Sequence, residues 1–152
     1  MLFDDIVNQL AADLRLAPFP RGADGSCAMR LDAHIYSFHP EGEGRFLVRS
    51  RLGQIASDDG TWLAHLLEGN LFDDGVGGPA LGVDVRGEVF LTQQFDTATL
   101  SFARFMDRLK PFVDTGEYWA GQLPQPSQSQ SQSQWQSQSQ WDRYFRLPSP
   151  AS

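Results

Sequence analysis

Apolar residues recur at three- and four-residue spacing through Leu2, Phe3, Ile6, Val7, Leu10, Ala11 and Leu14. That spacing lines one face of an α-helix. Asp4 and Asp5 suit its N-terminal end, where the backbone dipoles leave positive charge. Pro18, Pro20 and Gly22 stop it, since proline lacks the amide proton a further turn needs. The period then changes to two. Cys27, Met29 and Leu31 alternate with Ala28, Arg30 and Asp32, the pattern of a half-buried strand. Ile35, Tyr36 and Phe38 predict a second strand, and the turn Pro40-Glu41-Gly42-Glu43-Gly44 leads into a third over 46–52. The three are expected to form an antiparallel meander.

Helical spacing returns at Trp62, Leu63, Leu66, Leu67 and Leu71, preceded by Ser57, Asp58 and Asp59 as sources of a capping oxygen. After the glycine-rich stretch 73–79, Leu81, Val83 and Val85 are expected to pair across an Arg86-Gly87 turn with Val89 and Leu91. Asp96 or Thr97 is expected to cap a third helix bearing Leu100, Phe102, Ala103, Phe105, Met106 and Leu109. Pro111 is expected to end or bend it, with Phe112, Val113, Tyr118 and Trp119 continuing a helical pattern to about Leu123. The predicted order is helix, three strands, helix, two strands, helix: an α+β fold with an antiparallel five-stranded sheet and three helices.

Beyond Pro124 the composition shifts to alternating Ser and Gln broken by Trp135 and Trp141. Such a repeat supplies no core of its own, so the chain divides into a folded domain over 1–123 and a low-complexity tail over 124–152, expected to be disordered. The net charge of −7, with Lys110 the single lysine, argues against a nucleic-acid partner, whose phosphates select clustered cations. No apolar run approaches the roughly 20 residues that span a bilayer, and no basic leader opens the chain. With one cysteine, Cys27, and therefore no internal disulfide, the reading is a cytoplasmic protein without membrane insertion.

Catalytic chemistry finds no footing in the pattern. His34, His39 and His65 lack the close spacing to Cys or to one another that zinc requires. Cys27 with a histidine is the one nucleophile pair available, and no nucleophile turn surrounds it. Asp73-Asp74-Gly75-Val76-Gly77-Gly78 has neither the alternating oxygen ligands and closing Glu of a calcium loop nor the Gly-Lys-Ser/Thr of a phosphate loop. The expectation is a non-enzymatic protein with no cofactor and no metal. The acids Asp4, Asp5, Glu41 and Glu43 read as a solvated face. The wide apolar stripes of the first two helices leave two readings open: some of this surface is left over for association, or all of it packs into the chain's own core.

The segments Leu66-Leu67-Glu68-Gly69-Asn70-Leu71-Phe72, Gly78-Pro79-Ala80-Leu81-Gly82-Val83-Asp84 and Phe112-Val113-Asp114-Thr115-Gly116-Glu117-Tyr118-Trp119, set in this element order, resemble class I type III secretion chaperones of the Tir-chaperone (CesT) type. The resemblance runs from about Leu2 to Leu123; the Ser-Gln tail departs from it. It implies a bacterial homodimer that holds the N-terminal region of secreted effector proteins extended and competent for export, with the secretion ATPase as a further partner. By position, Phe3, Val7, Leu14, Ile35, Phe38 and Leu47 are the expected partner-binding residues. Trp62, Leu63, Leu66, Leu67 and Leu71 are the expected dimer contact. The alternative reading is a regulatory adaptor that uses the same groove to control export order or secretion gene expression.

Overall fold

The computed structural model describes residues 2–71 and 78–124. The Ser-Gln tail and residues 72–77 of the glycine-rich connection lie outside the described residues. Eight elements follow in the expected order: α1 (Phe3–Asp13), β1 (Cys27–Leu31), β2 (His34–Glu41), β3 (Arg45–Gln54), α2 (Gly60–Leu71), β4 (Ala80–Val83), β5 (Glu88–Asp96) and α3 (Phe102–Gln122). The strands form one antiparallel sheet in the order β1-β2-β3-β5-β4.

α1 starts where the Asp5 carboxylate accepts the Leu2 amide, 3.3 Å away, and it buries Ile6, Val7, Leu10 and Ala11. It stops before the prolines: Arg15 turns left-handed at φ 56°, and the Leu16 amide reaches back to the Ala11 carbonyl at 2.8 Å. α2 is capped as expected by Asp59, whose carboxylate accepts the Trp62 amide at 3.1 Å. α3 is capped not by Asp96 or Thr97 but by Ser101, whose hydroxyl accepts the Arg104 amide at 3.2 Å. Asp96 instead accepts the Ala98 amide, and the Thr97 hydroxyl donates to the Gly44 carbonyl, so both hold the turn before the helix.

Two prolines act differently from their expected roles. α3 continues through Pro111 to Gln122. Pro111 and Asp107 are both exposed, so water can satisfy the Asp107 carbonyl that loses its helical donor. Pro40 lies inside β2 and not in the turn. β1 pairs no further than Phe38, leaving Pro40 paired with Phe46 of β3 on one side only, so its missing amide costs nothing on the β1 side. The turn itself is made by Gly42 and Gly44, both at positive φ.

The β4–β5 hairpin also differs in extent. β4 stops at Val83, and Val85 is 93% exposed in the turn. One Asp84 carboxylate oxygen accepts the amides of Arg86 and Glu88, each at 2.9 Å, which takes the backbone out of the ladder early. Gly87 follows at φ 84°, where an added Cβ would lie 2.1 Å from the Ile55 carbonyl oxygen. Only glycine fits there.

Side-chain alternation gives the sheet two unlike faces. Met29, Tyr36, Phe38, Phe46, Val48, Leu91 and Phe95 share the face that packs against α1 and α3. Its centre is aromatic: Phe46 stacks on Phe95 at 5.1 Å, Phe3 of α1 meets Phe46 at 5.2 Å, and Phe105 of α3 meets Phe95 at 5.2 Å. α3 contributes Phe105, Leu109, Phe112 and Gly116 to this interior, the four- and three-residue rhythm of a single helical stripe.

Candidate partner-binding surface

Each end of the sheet has an edge strand, and an edge strand offers unpaired backbone groups to any extended segment. At the β4 end the edge is closed from within. The Asn70 side chain of α2 accepts the Leu81 amide at 2.7 Å and donates to the Leu81 carbonyl at 2.9 Å. One carboxamide thus takes the place of a neighbouring strand. Gly69 lets the helix come this near: a Cβ there would lie 2.6 Å from the Trp119 ring and 3.1 Å from Leu81. At the other end, β1 is the outermost strand, and among the described residues no element pairs with its outer side.

The expected partner-binding residues divide between places. Val7 and Phe38 are fully buried in the domain's own interior. Phe3, at the start of α1, and Leu14, just past its end, are half-buried and packed against that interior. Ile35 and Leu47 are half-buried on the opposite face of the sheet, which also carries Arg30, Arg49, Arg51 and Phe90. On that face the Arg49 guanidinium lies 3.7 Å from the centre of the Phe90 ring, a cation–π contact that screens the ring from water. Arg51 pairs with Glu88 at 3.5 Å.

The expected dimer residues are better gathered. Leu66 is buried, Trp62 and Leu63 are half-buried, and Leu67 is 65% exposed; the Leu71 side chain lies outside the described residues. The expectation missed neighbours that belong to the same surface. His65 stands edge-on between Trp62 (5.6 Å) and Trp119 (5.2 Å), and Tyr118, 60% exposed, lies against Trp119 at 5.7 Å. α2 and the end of α3 therefore present one aromatic and aliphatic surface. Tyr118 and Trp119 were visible as an apolar pair, but only packing shows that they adjoin α2.

Cys27 and His39 are held inside the domain as structural groups. Burial pushes the Cys27 thiol up to about 11, which keeps it protonated and unreactive. Cys27 faces the interior while His39 faces the other side of the sheet, so the two make no pair. His39 lies 2.9 Å from the Ser37 hydroxyl, and burial, with the Arg49 guanidinium second, holds its imidazole below the ordinary range. Among the described residues no cluster of three or more His, Cys, Asp or Glu side chains is placed to hold a metal ion. No described helix is long and apolar enough to cross a membrane.

Comparison with known proteins agrees with this architecture. The chain is similar in fold to the structure of the ExsC–ExsE complex, at 20% identity and a TM-score of 0.67, covering 84% of this chain and 100% of that one. It is similar to the Yersinia pestis type III secretion chaperone SycH, solved with a fragment of YscM2, at 20% identity and a TM-score of 0.61, covering 74% and 95%. It is also similar to the ExoU–SpcU complex of the Pseudomonas aeruginosa type III secretion system, at 17% identity and a TM-score of 0.59, covering 83% and 100%. A search of curated proteins finds no sequence match. The sequence model of the Tir chaperone protein family, in contrast, matches residues 5–120, the whole of the sheet and nearly all of its three helices, and the chain belongs to the Tir chaperone protein (CesT) family.

Proposed function

We propose that this chaperone works in type III secretion as a cytoplasmic homodimer that binds the N-terminal region of effector proteins and keeps it extended for export. The observation that carries the reading is the open outer edge of β1, on the sheet whose inner face packs against α1 and α3. An extended segment satisfies its own backbone on such an edge and seats alternate side chains on the flanking surface, so it is held without having to fold. The acidic domain favours encounter with basic segments. Exposed Leu67 and Tyr118 support a second copy covering the α2–α3 surface.

The test is co-expression with the N-terminal region of a secreted protein encoded nearby, followed by light scattering. The expected particle holds two copies of this chain and a bound segment that stays protease-sensitive. A monomer that captures no secreted segment overturns the reading.

A further inference from the structure

The Ser-Gln tail has a regularity that its composition conceals. From Ser127 to Leu147 the odd positions carry Ser, then Trp135, Trp141, Arg143, Phe145 and Leu147, while the even positions carry Gln, then Asp142, Tyr144 and Arg146. Period two is the period of a strand. In an extended conformation both tryptophans, Phe145 and Leu147 fall on one face, and glutamine and Asp142 fall on the other. We propose that residues 136–140 of this chain's own tail add to the outer edge of β1 as a sixth strand, with Trp135 and Trp141 seated at the two ends, and that an incoming effector segment must displace them.

Four observations point to this occupant. The free edge lies at β1, since Asn70 closes the other. The match of length is close: five residues separate the two tryptophans, and β1 has five, Cys27–Leu31. The tail can reach. The last described turn of α3 places Leu123 against Gly53 of β3, two strands from β1 and so about 10 Å away, while residues 125–133 extend to about 30 Å.

The fourth is chemical fit. Residues 1–124 hold 10 of the 12 basic and 18 of the 19 acidic residues, a net −8, whereas the tail, with Arg143, Arg146 and Asp142, is +1. A strand that turns its tryptophans toward the helix-covered face of the sheet meets half-buried Leu31 of β1. The same strand turns Asp142 toward the sheet face that bears Arg30. The tail thus offers what an effector segment would offer, from the same chain and at high effective concentration.

The displacement step rests on the effector-binding reading above; occupation of the edge does not. The experiment uses the full chain beside its Trp135→Ser, Trp141→Ser double variant, which restores an uninterrupted Ser-Gln pattern. Hydrogen exchange of the segment spanning β1 is expected to be at least about tenfold slower in the natural chain than in the variant, with unchanged exchange in α3. A fluorescein-labelled synthetic peptide of residues 130–146 should bind the double variant and should bind the natural chain more weakly. Equal exchange in the two chains, with no peptide binding, overturns the proposal. Protection of β1 that survives the double substitution and rises with protein concentration also overturns it, by assigning the edge to a second copy. Capture of a co-expressed effector segment by the double variant is scored separately: it keeps the chaperone reading when the tail proposal fails. When both hold, capture by the variant is tighter, by about tenfold if the tail occupies nine-tenths of the edges.

Discussion

The two edges of this sheet solve the same problem in opposite ways. β4 is short, four residues, and the outward amide and carbonyl of its Leu81 are satisfied by Asn70 from a helix packed against it. β1 is five residues long and has no such neighbour among the described elements. A sheet edge left open is a liability for aggregation unless something is meant to use it. Sealing one end and leaving the other directs any extended ligand to a single place. The seal also ties α2 to β4, at the end of the sheet opposite the β1 edge proposed for the effector.

The comparison can be broken most severely from beneath both edges. Phe46→Ala removes the ring that Phe3, Phe95 and Phe105 all touch, and the cavity should cost about 4 kcal/mol. Urea denaturation is expected to show that loss, with binding at β1 and association through α2 failing together. A variant that loses less than about 1 kcal/mol would mean that the aromatic cluster does not hold the layers together.

Asn70→Ala acts on the sealed edge alone. It leaves the Leu81 amide and carbonyl without their shared partner, and a loss of about 2 kcal/mol is expected. The opened strand should also promote concentration-dependent association, read by light scattering. If stability drops and no larger species forms, the seal is a packing device and not a guard against pairing.

The third effect depends on pH. Burial holds the folded His39 imidazole below its ordinary 6.5, so the unfolded chain takes up the proton first as the pH falls. Stability from this group is complete above about pH 6.5 and declines as the pH drops toward the folded value. Arg49 adds to the depression, while Asp24 and Glu41 oppose it. Thermal melts across pH 5–8 should show the slope, and His39→Gln should flatten it. The smallest effect on stability is Leu67→Asp, within about 0.5 kcal/mol because the side chain is 65% exposed. That variant is nevertheless expected to run as a monomer in size-exclusion chromatography; a dimer would move the interface elsewhere.

The sequence by itself determined the order and type of the elements, because each is a local periodic pattern: the α1 stripe ending in Leu14, the alternation from Cys27, and the leucines of α2. It also made the family legible, through the Leu66–Leu71 motif and the Gly-Pro-Ala-Leu-Gly segment. Only the tertiary structure decided that β5 pairs with β3, that Ser101 and not Asp96 caps α3, and that Pro111 rides on the exposed side of a continuous helix. It alone separated Ile35 and Leu47 from Val7 and Phe38, since which face a strand turns inward depends on what packs there. It alone showed Asn70 to be a strand surrogate. Periodicity records which residues avoid water along one segment; a contact between residues eleven apart on a helix and a strand is set by how the two segments meet, and no local pattern encodes that meeting.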